Sequence, residues 1–77
     1  MIDFIRLLEL VYIEGFRCEI SSDRENIKFV WRGPHPGTDQ TIGFSRMVNK
    51  KMLAHAHEPE DVINHMVECA RVGLDEL

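Results

Sequence analysis

The sequence is poor in cysteine and in long apolar runs, and each shortage excludes a class of protein. Cys18 and Cys69 are the only cysteines among 77 residues, whereas a small secreted scaffold normally carries several disulfides. We therefore expect two reduced thiols in a cytoplasmic protein. No apolar run approaches the roughly 20 residues that cross a bilayer, and the first residues lack the basic start of a signal peptide. The length predicts a single domain, residues 1–77, with no membrane association.

Positive charge and catalytic motifs are scarce as well. Thirteen acidic and nine basic side chains give a formal net charge of −4, which disfavours general binding to nucleic acid or anionic lipid. No glycine-rich phosphate loop, serine nucleophile elbow or paired-carboxylate motif is present. We therefore predict that the protein is not an enzyme, uses no cofactor and does not contact nucleic acid directly.

What the sequence does contain begins with an amphipathic helix. The apolar spacing predicts a helix over residues 2–14, and Gly15 supplies a stop because glycine adopts the left-handed conformation readily. The apolar face expected to cover the core comprises Phe4, Ile5, Leu7, Leu8, Val11 and Tyr12.

Two further apolar residues, Leu10 and Ile13, fall on the polar side of this predicted helix and are neighbours on its surface. One interpretation is a contact surface, most simply a two-fold homodimer in which the pair meets itself. The other is intramolecular, with the C-terminal segment that carries Leu74 and Leu77 folding back over them.

After Gly15 the apolar residues recur every second position, which is the period of a strand with one buried face. Alternation over residues 16–21 and again over 27–32 predicts an antiparallel hairpin, and Trp31 is expected to face inward against Leu8 and Met66. Glycines and prolines predict a loop over residues 33–39. A third strand is expected from Thr41 to about Val48, with its alternation interrupted by Arg46.

Two more helices follow the strands. Asn49 is a suitable N-cap for a short helix over residues 50–56, and Pro59 suits the first turn of a last helix. The order is helix, three strands, short helix and C-terminal helix. Because the sheet has one apolar face, the predicted fold is α+β with a three-stranded antiparallel sheet and the helices on one face.

Two groups of residues could carry ligand chemistry. Asp61, His65 and Cys69 line one edge of the last helix, but their spacing matches no closed structural zinc motif, so no metal site is predicted. The loop after the second strand is stiffened by two prolines and carries cationic residues. An alternative function is therefore an oligomeric protein that sequesters an anionic nucleotide. The residues of this alternative ligand loop are Arg32, His35 and Arg46.

An amphipathic helix ending at Gly15, a polar hairpin turn and the segment 42–48 before a short helix resemble a diffuse group of small phage and prophage proteins. Some proteins of similar architecture are anti-CRISPR inhibitors of Cas9, which are acidic and occupy the site that reads a short DNA motif. The resemblance implies a viral, non-enzymatic protein that inhibits a host protein, such as a CRISPR or other defence nuclease, by occupying its surface. The acidic contacts that it implies are Asp23, Glu25, Asp39, Glu58, Glu60 and Asp61. A metal-binding or purely structural domain stays open as another alternative.

Overall fold

The computed structural model describes residues 3–76, and it contains three helices and three strands. The elements are α1 (Phe4–Leu10), β1 (Arg17–Ser22), β2 (Asn26–Pro34), β3 (Thr41–Asn49), α2 (Lys50–His55) and α3 (Pro59–Asp75). The strands form one antiparallel sheet in the order β1-β2-β3. The predicted α+β fold is confirmed. Within residues 3–76, no helix has both the length and the apolar character needed to cross a bilayer.

The register of the sheet gathers the apolar residues on one face. Trp31 lies opposite Cys18 of β1 and Phe44 of β3, and Phe29 lies opposite Ile20. Directly opposite residues point to the same side of a sheet, so these side chains share the face that the helices cover. Phe29 and Trp31 have no exposed surface, and the predicted alternation of the hairpin is confirmed.

Trp31 is the centre of this core. Its ring stacks on Phe44 and Phe29 at centroid distances of 5.2 and 6.1 Å, and its Nε1 donates a hydrogen bond of 2.9 Å to the carbonyl of Val11. Met66 is buried in the same cluster. Leu8, however, is 42% exposed and is not one of the buried side chains around Trp31.

The helix boundaries of α2 and α3 follow local signals. The side chain of Asn49 accepts hydrogen bonds from the backbone N–H groups of Lys51 and Met52, which confirms it as the N-cap of α2. Pro59 begins α3, where its missing N–H is no loss because the first N–H groups of a helix have no partner within it. The buried side of α3 consists of Ile63, Met66, Val67 and Ala70.

Helix α1 is shorter than the pattern predicts, since it ends at Leu10 rather than at residue 14. Ile2, in the predicted first turn, lies outside the described residues. In a longer helix the carbonyl of Val11 would accept a hydrogen bond from the N–H four residues later. It accepts one from the indole of Trp31 instead, and the carbonyl of Tyr12 accepts one of 3.1 Å from Arg71. Tertiary hydrogen bonds thus replace the last helical turn.

Strand β2 extends further than predicted, through Gly33 and Pro34. These two residues pair with β3 but lie beyond the end of β1, and a strand tolerates proline where it has a neighbour on one side only. Gly33 also makes room for an aromatic ring, because a Cβ added there would lie 2.6 Å from the ring of Phe16. The predicted loop therefore begins two residues later, at His35.

Candidate functional site

Helix α1 has an apolar surface that faces solvent. The exposed fractions are 62% for Phe4, 71% for Ile5, 42% for Leu8 and 60% for Tyr12, which lies just beyond the helix. We call these four residues the α1 outer face. Leu8 lies three or four positions from each of the other three, so the four side chains form one stripe rather than scattered single side chains. The prediction that this face covers the core is wrong for all four residues.

The other side of α1 is the one that packs on the core. Leu7 and Leu10 are half-buried against it, and Val11 is 1% exposed. Of the seven residues of α1 only Arg6 and Glu9 are charged, so apolar side chains cover two faces of the helix. Helical spacing alone cannot tell which of two adjoining apolar faces is buried, and this is the physical reason for the wrong prediction.

The orientation of α1 is held by polar contacts at its start and on one side. The carboxylate of Asp3 accepts a hydrogen bond of 2.8 Å from the N–H of Arg6 and caps the helix. The guanidinium of Arg6 donates two hydrogen bonds, of 2.7 and 3.1 Å, to the carboxylate of Glu60 in α3. These hydrogen bonds lower the pKa of Glu60 and raise the pKa of Arg6. These contacts join the charged side of α1 to the start of α3.

Leu10 and Ile13 are not part of an exposed surface. Ile13 is 8% exposed and belongs to the core cluster, and Leu10 is half-buried against it. The interpretation of this pair as a dimer contact surface is therefore wrong. Because the helix ends at Leu10, the chain leaves the helical path and Ile13 turns inward. Leu74 also packs on the core, whereas Leu77, the other residue expected to cover the pair, lies outside the described residues.

The acidic residues predicted as partner contacts lie in separate places. Asp23 and Glu25 lie in the turn between β1 and β2, and Asp39 lies in the loop at the other end of β2. A nine-residue strand spans about 26 Å, so Asp39 is far from the other two. The carboxylate of Asp23 accepts hydrogen bonds from the N–H groups of Asn26 and Glu25, which lower its pKa and close the turn.

The remaining acidic residues, Glu58, Glu60 and Asp61, lie at the start of α3. Glu60 is engaged by Arg6, whereas Glu58 and Asp61 are exposed and form no ion pair with another described residue. The sheet and helices therefore do not bring the six carboxylates into one acidic surface. A contact of each group with a partner stays a prediction.

The alternative ligand loop is not assembled either. Arg46 lies opposite Phe29, on the face of the sheet that the helices cover, whereas Arg32 lies opposite Arg17 and Gly43 on the open face. His35 is half-buried at the loop, with its Nδ1 2.8 Å from the carbonyl oxygen of Pro36. The three residues therefore cannot converge on one nucleotide, because the sheet separates two of them.

Within residues 3–76, no three histidine, cysteine or acidic side chains lie close enough to hold a metal ion. Cys69 is exposed, with its Sγ 3.8 Å from Nε2 of His65. Cys18 is half-buried, and burial raises the pKa of its thiol to about 11. A thiol with so high a pKa is a poor nucleophile at neutral pH.

Comparisons of the chain with protein families, with curated proteins and with solved structures give no match in any of the three. A function is therefore inferred from the chain's own residues. The α1 outer face is a feature that the core does not explain, and it can bury apolar area against another molecule. The signal that could have found it is the excess of apolar residues in α1, five of seven, because covering a sheet requires only one face.

Proposed function

We propose that this domain is a non-enzymatic binding protein that acts by occupying the surface of another protein. The observation that carries the proposal is the α1 outer face, four large apolar side chains exposed by 42–71% in one stripe. Single exposed apolar residues are ordinary on a soluble protein, but a contiguous apolar patch with a polar rim is typical of an interaction site. Here Asp3, Arg6 and Glu9 lie beside Phe4 and Ile5.

The chemistry of this face suits a protein partner. Phe4 and Tyr12 are large and lose little side-chain entropy on binding, and aromatic residues are enriched at the centre of protein interfaces. Full burial of a large apolar side chain is worth about 1.5–3 kcal/mol, so a groove that accepts Ile5 and Leu8 would gain a substantial part of the free energy of docking. An apolar helical face that enters a groove is a recurring mode of recognition.

The resemblance to small phage proteins makes a host defence nuclease the first partner to test. A domain that occupies the surface of such an enzyme would inhibit it without chemistry of its own. In this proposal α1 provides the apolar contact, and the separate acidic groups at the β1–β2 turn and at the start of α3 would meet basic residues at the edge of the interface.

The experiment is affinity capture from a bacterial lysate that contains Cas9, with bound proteins identified by mass spectrometry. The test variant is Ile5→Glu with Leu8→Glu. The matched control is Met47→Glu with Met52→Glu, which adds the same two charges at exposed apolar residues of β3 and α2. Far-UV circular dichroism checks that all three proteins are folded.

We expect the wild type and the control to capture the same partner and the test variant to lose it, because a carboxylate cannot enter an apolar groove without a large desolvation cost. Equal capture by all three proteins would show that docking does not use the α1 outer face. If the wild type captures no partner above background from lysates of several hosts, the proposed function is wrong.

A further inference from the structure

The edge of the sheet formed by β3 has no neighbouring strand along its whole length. β3 pairs with β2 on one side only, so over nine residues its other side carries N–H and C=O groups without a strand partner. Proteins usually blunt such an edge with proline, with lysine, with an inward-pointing charge or with a short strand, and of these β3 carries only the inward charge of Arg46. β3 has neither proline nor lysine, and it is longer than β1, the six-residue strand at the other edge. This edge can accept a further strand.

An apolar cleft of about 300 Å³ lies beside this edge, between the first half of β3 and the last turns of α3. Ile42 and Phe44 line it from the strand, and Ala70 and Leu74 line it from the helix. Gly73 keeps it open, since a glycine inside a helix offers no side chain to fill the space. The volume is at the low end for small-molecule sites and suits a single apolar side chain.

A guanidinium lies at the same cleft. Arg46 is on the cleft side of β3, and a Cβ added at Gly73 would lie 3.8 Å from its Nη2. Its Nη1 donates a hydrogen bond of 2.8 Å to the carbonyl of Ser45, and no carboxylate of residues 3–76 forms an ion pair with it. The rest of its planar set of N–H donors is free to bind a carboxylate in a bidentate manner.

We propose that β3 and this cleft bind the C-terminus of an extended peptide, which adds to the sheet as a fourth strand. The side chain of the last residue fills the cleft, and its α-carboxylate pairs with Arg46. The guanidinium of Arg46 lies at the apolar cleft. In the last residue of a peptide, the α-carboxylate and the side chain are attached to the same Cα, so that one residue can reach both. Backbone hydrogen bonds to the edge supply affinity, and the cleft selects an apolar last residue. This site is separate from the α1 outer face and does not depend on the proposed function.

The test uses fluorescein-labelled hexapeptides of serine and threonine that differ only in an apolar last residue, each with a free C-terminus or a C-terminal amide. Fluorescence anisotropy measures their affinity for the full chain. The variants are Arg46→Ala, which removes the guanidinium, and Gly73→Leu, which fills the cleft. The matched control is Arg17→Ala, since Arg17 is an exposed arginine on the open face of the sheet. N-methylation of alternate peptide amides tests strand addition. In an added strand, alternate N–H groups point towards β3 and the others point away, so methylation should weaken binding for one set of amides only.

We expect at least one free-acid peptide to bind, and its amide to bind about tenfold or more weakly. Arg46→Ala should weaken the free acid by a similar factor and leave the amide unchanged, and Gly73→Leu should weaken both. Arg17→Ala should have no effect. Because Phe44 both lines the cleft and stacks on Trp31, bound peptide should also change the fluorescence of Trp31.

Several results would overturn the proposal. Equal affinity for acid and amide would exclude the pairing with Arg46, and an equal loss in Arg17→Ala would show that the attraction is only the general positive charge of an arginine. Binding of decanoate as tight as that of the peptides would assign the cleft to small apolar carboxylates. A wild type that binds none of the peptides, whether it sediments as a monomer or as a dimer, would exclude the site.

Discussion

A single type of substitution can compare the buried segment just after α1 with the exposed α1 outer face. Ile13 is 8% exposed and lies in the core cluster, whereas Ile5 is 71% exposed on the α1 outer face. Replacing each with alanine removes the same atoms, so any difference in the free energy of unfolding reports the burial of the two sites. The comparison also tests the exposure of the α1 outer face, on which the proposed function rests.

The magnitudes expected for the two variants are well separated. Removing a buried isoleucine side chain costs about 2–5 kcal/mol, because apolar area is exposed and a cavity is left behind. At an exposed site the change is within about 0.5 kcal/mol, and alanine is slightly the better helix former. A domain of 77 residues has a total stability of roughly 4–12 kcal/mol at the usual value per residue. Ile13→Ala should therefore remove a large part of it, and Ile5→Ala almost none.

Urea denaturation provides the measurement, with the fluorescence of the single tryptophan, Trp31, as the probe of unfolding. With a slope of about 1 kcal/mol per molar urea, Ile13→Ala should lower the midpoint by about 2 M or more. Ile5→Ala should stay within about 0.5 M of the wild type. Equal shifts, or a larger shift for Ile5→Ala, would mean that α1 buries the face that the structure places in solvent, and the argument for the α1 outer face would fail.

Two further predictions concern the core and the thiols. Trp31→Phe keeps an aromatic ring but leaves the buried backbone carbonyl of Val11 without its donor. We therefore expect the free energy of unfolding to fall by about 1–3 kcal/mol, measured by thermal or urea unfolding followed by circular dichroism. A fall of less than about 0.5 kcal/mol would show that the hydrogen bond is unimportant. At mildly alkaline pH, Ellman's reagent should modify the exposed Cys69 quickly and Cys18 slowly, since burial raises the pKa of the Cys18 thiol to about 11, and urea should abolish the difference. Equal rates in the folded protein would contradict the placement of Cys18.

Local patterns predicted most elements of the fold. The alternation around Phe29 and Trp31 identified the hairpin, because a strand with one buried face repeats every two residues. Asn49 and Pro59 marked the starts of α2 and α3, because capping and the first helical turn are satisfied by groups within a few residues of each other. Signals of this kind do not depend on what packs against the segment.

The site depended on contacts between distant segments. The indole of Trp31 donates a hydrogen bond to the carbonyl of Val11, twenty residues away in the chain, and so helps to end α1 before Ile13. The register between β2 and β3 places Arg32 and Arg46 on opposite faces of the sheet. Their separation could not be seen without knowing which residues pair.

Composition, hydrophobic period and capping residues were therefore enough to indicate an α+β domain with one apolar sheet face. They could not select the buried side of a helix that is apolar on two sides, because that choice depends on whether Leu7 and Leu10, or Ile5 and Leu8, meet the core. Whether a residue is buried depends on the surface that packs against it as much as on the residue itself. For α1 that surface belongs to the sheet and to α3. The same holds for the cleft beside β3, which exists only because α3 packs along that strand.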